Sequence, residues 1–397
     1  MRRVIFLVDM NAFFISCETT RNPALRGRPA AVAGDPQKRT GIILAANYEA
    51  RRYGVKTAMV LHEAKKLCPD MLLVPPDHRF YEEKSRVVME VLSHYTPVIE
   101  QNSIDEAWLD MTGTERLFGQ PEKAAQRIMD EIKDGLGLWC SIGIAENKFL
   151  AKMASEMKKP LGITTLWPDS IAEKLWPLPV QAMYGVGKKT GEKLSRTGVK
   201  TIGQLAKLEE NYLVKLLGKT GIILHQHANG IDPTPVLPHD PGDMKSIGRS
   251  QTLPRDITDP AEAKAILLEL AESVGMTARK HGKKGSTVQI TLKYSDFHVI
   301  TRQITVPATW STKEIYRAGW MLLQKNWTPA KPVRLIGISL GGFAGSCPGE
   351  QMSLFDSPGK EVKQDKEERI DQVMDIIRTK HGSGTILRGT LIKHHRE

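Results

Sequence analysis

Ile99-Glu-Gln-Asn-Ser-Ile-Asp-Glu-Ala-Trp-Leu-Asp110, read together with Val4-Ile-Phe-Leu-Val-Asp-Met-Asn-Ala-Phe-Phe14, decides how this chain folds. Val4 to Val8 is continuously apolar, the pattern of a strand buried on both faces, and Asp9 stands at its C-terminal tip. In the later stretch Ile99, Gln101 and Ser103 alternate with polar neighbours up to Ile104. Asp105–Glu106 then interrupts, and Ala107-Trp108-Leu109 starts a second short strand, which puts the acidic pair at or near a hairpin. Three carboxylates at the ends of neighbouring strands repel one another unless a cation lies between them. Oxygen ligands with little His or Cys nearby suit Mg²⁺. Two such ions sharing carboxylates clamp the attacking and leaving oxygens of an in-line phosphoryl transfer. A D-E pair at a strand end also reads as a solvated turn, so the surroundings have to decide.

The 397 residues exceed one ordinary core and predict two to four domains. An apolar content of 41% with 25% charged residues is that of a globular protein in water. No run of 18 uncharged apolar residues occurs, which predicts no membrane span. The N-terminal apolar run is too short for a signal peptide and lacks a small-residue cleavage site, so a cytoplasmic location is expected. Cys17, Cys68, Cys140 and Cys347 have no zinc-like spacing and read as reduced thiols. The net charge of +11 is unevenly placed: +3 over residues 1–243, +8 over 244–343 and zero over 344–397. A basic excess confined to one segment favours a polyanion-binding module.

Five motifs carry a family resemblance: Asp9-Met-Asn-Ala-Phe-Phe14, Ala46-Asn-Tyr-Glu-Ala-Arg-Arg-Tyr-Gly54, Ser103 to Asp110, Ser141-Ile-Gly-Ile-Ala145, and Asn147 to Lys152 running on to Lys159-Pro160. In this order they resemble the Y-family translesion DNA polymerases, on the DNA polymerase IV branch, over roughly residues 3–343. The resemblance implies an α+β right-hand polymerase: a ferredoxin-like palm (1–14 and 78–168), small fingers (15–77), a helix–hairpin–helix thumb (169–233), a linker (234–243) and a βαββαβ little finger (244–343). The residues agree with that plan. Helix 80–95, the carboxylate hairpin, helix 121–136 and strand 139–145 make a βαββαβ sheet with the first strand. Strands 246–253, 287–296, 299–306 and 333–341 with helices 260–281 and 312–326 make a second such unit. Asn147 caps a helix whose Phe149, Leu150, Met153 and Met157 form an apolar core stripe.

The same resemblance implies the site. Asp9, Asp105 and Glu106 are catalytic and hold two Mg²⁺, with Met10 offering its carbonyl. Phe14 is a steric gate packed where a ribose 2′-hydroxyl would sit, since an added oxygen there has neither room nor a hydrogen-bond partner. The backbone amides of Ala12 and Phe13, and the side chains of Tyr48, Arg51 and Lys159, meet the incoming triphosphate. Tyr48 and Arg51 share one face of a helix over 47–53. Read alone, Arg51 is a surface residue and Lys159 a helix-end charge. Where many relatives carry a further Asp, this chain has Asn11.

Leu178 to Leu194 reads as helix, Gly185-Val-Gly187 hairpin, helix. Such a hairpin offers backbone amides to DNA phosphate, with Lys188, Lys189 and Lys193 beside it. Arg249, Lys293, Arg302 and Arg334, with Lys280, Lys283 and Lys284 in a Gly-broken loop, are candidates to track phosphates; some belong to solvated faces. Residues 344–397 open Gly/Pro/Ser-rich and contain Gln351-Met-Ser-Leu-Phe355. Its Gln351, Leu354 and Phe355 resemble the peptide that bacterial polymerases insert into the sliding clamp. Residues 361–380 predict an amphipathic helix through Ile370, Val373, Met374 and Ile377. The expected protein is a monomeric, template-directed DNA polymerase that uses dNTPs on primer–template DNA and acts in translesion synthesis without proofreading. The rivals are a catalytically silent DNA- and clamp-binding scaffold, a two-metal nuclease, and the UV-repair branch that needs accessory subunits.

Overall fold

The computed structural model describes residues 2–35, 41–238, 244–343, 358–382 and 384–392. It divides into two compact units, one made of residues 1–36 and 41–239, the other chiefly of residues from 240 onward.

In the first unit, β1 (Ile5–Met10) is buried along its whole length, as its unbroken apolar run requires. Helix α1 (Phe13–Arg21) follows directly. No helix was expected here, because residues 13–21 follow the strand without a side chain that caps a helix. A small sheet of β2 (Ala30–Ala33), β3 (Ile43–Ala46) and β4 (Leu72–Val74) comes next, in the order β3-β2-β4, with α2 (Tyr48–Arg52) and α3 (Leu61–Leu67) packed on it. Then come α4 (His78–Ser93), β5 (Ile99–Gln101), β6 (Glu106–Asp110), α5 (Glu115–Phe118), α6 (Pro121–Leu136), β7 (Cys140–Ala145), α7 (Lys148–Met157) and β8 (Ile163–Leu166). The main sheet runs β5-β6-β1-β7-β8. Its first four positions are the ferredoxin-like arrangement, with β1 antiparallel to both β6 and β7. The expected strand through Ser103–Ile104 stops at Gln101, and Asp105 lies in the turn.

Helices α8 (Lys188–Arg196), α9 (Ile202–Ala206), α10 (Glu210–Leu217) and α11 (Lys219–Ala228) complete the unit. Leu194, Ile202, Leu213 and Leu224, one from each, join one buried cluster with Ile5, Leu7 and Phe149, so these helices share the core on one face of the sheet. The predicted first helix of the hairpin is only a 3₁₀ turn, Val180–Ala182. Two X-Pro steps before it (Trp176-Pro, Leu178-Pro) and the tight turn at Gly185, where φ is +90°, leave no room for a longer helix.

The second unit contains β9 (Ser246–Ile257), α12 (Pro260–Lys280), β10 (Gly285–Tyr294), β11 (Val299–Thr309), α13 (Thr312–Asn326) and β12 (Val333–Phe343), a βαββαβ order as expected, with strands β9, β11 and β12 longer than predicted. Its sheet runs β11-β10-β12-β9, so the last strand is interior here, whereas in the first unit the first strand is. Helix α14 (Pro358–His381) is followed by a short turn of helix, α15 (Gly389–Ile392). The expected apolar face of α14 is not what docks: Ile370 is 43% and Val373 54% exposed, while Glu368 and Asp371 are buried. Arg279 of α12 donates to Asp375 at 2.6 and 3.0 Å and to Asp371 at 3.2 Å, and Lys284 meets Glu368 at 3.0 Å. Helix α14 is therefore held to its unit by ion pairs as well as by Met374. No helix among the described residues is long and apolar enough to cross a membrane.

Candidate active site

The carboxylates are placed by strand register. Asp9 of β1 pairs directly with Glu106 of β6, and partners in an antiparallel ladder project from the same face. The Met10 amide donates to the Asp105 carbonyl at 2.9 Å, which draws the acidic turn against the tip of β1. Ser103 Oγ donates to Asp105 Oδ1 at 2.6 Å, and the Asn102 side chain donates to Glu106.

Two lysines meet these groups. Lys152 Nζ lies 2.9 Å from Asp9 Oδ2, 2.5 Å from Glu106 Oε2 and 3.0 Å from Glu156 Oε1. Lys159 Nζ lies 2.7 Å from Asp9 Oδ1 and 2.8 Å from Glu156. Burial alone would raise the Asp9 carboxyl, but the two ammonium groups outweigh it and hold it below the usual carboxylate range. For Glu106 burial prevails and the carboxyl is raised. Lys152 is raised as well, because Asp9 and Glu106 more than compensate for its own desolvation.

Lys152 reaches the sheet because α7 sits directly on β7 at Gly143. A Cβ there would stand 2.0 Å from the Ala151 carbonyl and 2.4 Å from the Ser155 amide, so only glycine lets helix and strand approach this closely. Asn147 starts α7 by accepting from the Leu150 amide at 2.9 Å. Asn11 has a structural use that accounts for an amide at this position. Its Nδ2 donates to Ser141 at 3.0 Å and its Oδ1 accepts from the Leu161 amide at 2.9 Å, which ties the loop bearing Lys159 to the sheet. A carboxylate could keep the second bond and accept from Ser141 Oγ, which lies 3.2 Å from Oδ1, but it could not donate to Ser141.

A cleft of about 270 Å³ brings together all six predicted nucleotide contacts, Ala12, Phe13, Phe14, Tyr48, Arg51 and Lys159, with three of the four predicted metal ligands, Asp9, Met10 and Asp105, and also Asn11 and Thr57; Glu106 is not among its lining residues. Phe13 and Phe14 separate clearly. Phe13 is core, whereas Phe14 faces the cleft and is stacked on Tyr81 at 4.5 Å between ring centres. Tyr81 is itself held, its hydroxyl donating to the buried Glu18 at 2.7 Å, and Glu18 is gripped by Arg21 through two bonds of 2.7 Å. Ala12 opens α1 in the left-handed conformation (φ 48°), so the first-turn amides of that helix begin at the cleft wall. On α2, capped by Asn47, the Arg51 guanidinium lies 4.9 Å over the Tyr48 ring and donates to the Ala46 carbonyl. The Tyr48 hydroxyl is buried and has no hydrogen-bond partner among the described residues.

Lys152, Tyr81, Glu18 and Thr57 were not singled out from the sequence. Lys152 lay inside a quoted motif, but its partners come from strands 143 and 46 residues away in sequence. Gly185 has φ +90°, Gly187 caps α8, and Lys188 and Lys189 are exposed beside them. The basic residues of the second unit do not share one face. Arg249, Ile338, Ile290 and Arg302 are successive register partners and so lie on one face, the two arginines at its opposite edges, whereas Lys293, three residues from Ile290 on β10, projects from the other. Arg302 bonds Asn326, whereas Arg249 bends to line a trough of about 400 Å³ with Lys293, Ser250, Gln289 and Thr291. Lys293 and Arg334 both lie 4.7 Å from the ring of the exposed Phe297. Lys284 is paired with Glu368. Gln351, Leu354 and Phe355 lie outside the described residues.

Among the described residues, no group of three acidic, His or Cys side chains is arranged to hold a metal ion as it stands. The donor set nonetheless fits a hard divalent cation. It consists of carboxylate oxygens and the Met10 carbonyl, without sulfur or imidazole, in a position where the fold already requires positive charge.

Comparison with known proteins gives one answer. The impB/mucB/samB family matches residues 8–156, the C-terminal domain of the impB/mucB/samB family matches 244–354, and the IMS family HHH motif matches 168–199. A protein of Alkaliphilus oremlandii named DNA polymerase IV is 60% identical over 99% of this chain and 100% of its own length. One of Clostridium kluyveri with the same name is 59% identical over 99% of both chains. Among solved structures, a Y-family DNA polymerase chimera, Dbh-Dpo4(243-245)-Dbh, superposes with a TM-score of 0.77 at 26% identity, covering 86% of this chain and 99% of that one.

Proposed function

The chain belongs to the impB/mucB/samB family of Y-family DNA polymerases, and on that premise we propose how its site works. It is a template-directed DNA polymerase of the translesion class, with DNA and dNTPs as substrates and dependence on a divalent metal ion. In our reading, Asp9, Asp105, Glu106 and the Met10 carbonyl would hold two Mg²⁺, which acidify a primer 3′-hydroxyl and neutralise charge on the departing pyrophosphate. Tyr48, Arg51 and Lys159 bind and orient the triphosphate, the arginine as a planar fork and the lysine as a point charge. The amides at Ala12 and Phe13 add neutral donors to the same phosphates. Phe14, backed by Tyr81, closes the space beside the sugar and excludes a 2′-hydroxyl.

The supporting observation is convergence. Acidic residues, triphosphate donors and an aromatic wall from β1, α1, α2, the Asp105 turn and the Lys159 loop line a single cleft. A scaffold or a nuclease has no use for that combination. The Gly185–Gly187 hairpin and the trough with Arg249 and Lys293 are read as DNA-phosphate contacts, Gln351 to Phe355 as a sliding-clamp ligand, and the working form as a cytoplasmic monomer. Primer extension by the purified chain alone tests the reading. With Mg²⁺ and one dNTP the chain extends a primer, while Asp105→Asn and Glu106→Gln each lose several orders of magnitude in kcat but keep DNA affinity. Extension at near wild-type rate by either variant would falsify the assignment of these carboxylates.

A further inference from the structure

Lys152 has no part in the proposed reaction, yet it makes three ion pairs, to Asp9, Glu106 and Glu156, in a cluster where Lys159 also meets Asp9 and Glu156. Its ammonium lies between carboxylates of β1 and β6, on the side of them that faces α7. The side chains of Lys152, Asp9 and Glu106 are only 12%, 11% and 13% exposed, so solvent screens their interaction little. Helix α7 is seated backbone to backbone on β7 at Gly143, which sets the distance of the Lys152 Cα from the carboxylates. The side chain can move, and it has somewhere to go. Glu156, one turn further on, is half exposed and already accepts from Lys152 at 3.0 Å.

We propose that Lys152 is an internal counter-ion: it holds Asp9 and Glu106 together before the divalent cation binds, and yields to that cation by withdrawing onto Glu156. This rests on the reading that Asp9 and Glu106 are metal ligands. Two like charges this close need a cation at all times, and an ammonium on a flexible stem can supply it without coordinating so firmly that a divalent ion cannot take its place. The lysine thereby competes with the metal, while Glu156 favours the metal by giving the displaced ammonium a partner.

The two residues should act in opposite directions on the nucleotide-free full-length chain, with Mn²⁺ as the probe. Lys152→Met binds Mn²⁺ roughly tenfold more tightly than wild type in titration followed by electron paramagnetic resonance, and Glu156→Gln more weakly. Without metal, Lys152→Met unfolds roughly 5 °C lower, and saturating Mn²⁺ closes most of that gap. The neutral, hydrogen-bonding Lys152→Gln guards against a packing artefact and should repeat the tighter binding. A direct readout is the side-chain ¹⁵Nζ resonance of Lys152, expected to move when Mg²⁺ is added to wild type. Unchanged or weaker Mn²⁺ binding in both Lys152 variants, or an Nζ resonance indifferent to Mg²⁺, overturns the inference. Asp9→Asn separates the two levels. If it abolishes Mn²⁺ binding while the Lys152 variants bind as wild type, only the counter-ion is refuted. If Asp9→Asn binds Mn²⁺ normally, the metal-site reading fails with it.

Discussion

Gly143→Ala demands space that the backbone of α7 occupies. The new Cβ would lie 2.0 Å from the Ala151 carbonyl oxygen and 2.4 Å from the Ser155 amide. Comfortable contact begins near ~3.5 Å, so helix and strand must part by about 1.5 Å. Neither obstacle is a side chain that can rotate away. Overpacking of this kind costs about 1–3 kcal/mol, which in a unit of this size lowers the melting temperature by roughly 3–10 °C. The effect on catalysis is larger in proportion, because Lys152 is carried on the displaced helix and Lys159 on the loop that leaves it. A shift of about 1 Å in groups that align reacting atoms costs roughly a hundredfold in rate. Thermal unfolding and single-nucleotide primer extension at saturating DNA measure the two effects. Gly135→Ala on α6, where a Cβ meets nothing within 4 Å, is the control and should match wild type in both. A Gly143→Ala protein melting within about 1 °C of wild type, with kcat within threefold, would refute the argument that this contact sets the site.

Phe14→Ala should admit ribonucleotides roughly a hundredfold better, read as the ratio of kcat/KM for rNTP and dNTP; an unchanged ratio removes the gate. Tyr81→Phe keeps the ring on Phe14 but loses the bond to Glu18. The same ratio should then relax by roughly fivefold, about 1 kcal/mol, with dNTP kcat nearly unchanged. Burial pushes the Cys17 and Cys140 thiols up to about 12. Both stay protonated in the folded chain while the unfolded chain ionises near ~8.5, so their contribution to stability is full below that pH and is lost as pH rises towards the folded value. Neither should react with a disulfide reagent at pH 8 without denaturant, and rapid native-state labelling of either contradicts this. Arg279→Met takes one of its two arginines from Asp371, 2% exposed, which keeps Arg388 and the Thr312 amide, and removes both bonds to Asp375. Faster proteolysis of α14 and a loss of about 1–3 kcal/mol are expected, and wild-type protease resistance would show that these ion pairs do not hold the helix.

Strand β1 and its terminal carboxylate were legible because a continuous apolar run has few readings, and α7 because Asn147 announces its start. Helix α1 was not, since Ala12 begins it in a left-handed conformation with no capping side chain, and Phe13-Phe14 fits a strand equally well. The residues at the cleft could be named from motifs, but their supports could not. Tyr81 and Glu18 meet across 63 residues, and a lysine at a helical position reads as solvent-facing until the strands beneath it are known. The C-terminal helix was found by its period, but of the expected apolar stripe Met374 is buried while Ile370 and Val373 stay exposed. An apolar stripe predicts burial only when no better-matched surface competes, and here Arg279 and Lys284 wait for acids.

The two sheets differ in which strand is interior, and this matters while the chain is being made. In the first, β1 emerges earliest and must wait, apolar and unpaired, for neighbours about a hundred and about 135 residues later. In the second, β9 and β10 are both synthesised with an empty lane between them, and β12 arrives last to fill it. A chain ending just short of Val333 would therefore display two exposed strand edges, whereas one ending just after Ala145 already holds β1 with a neighbour on both sides.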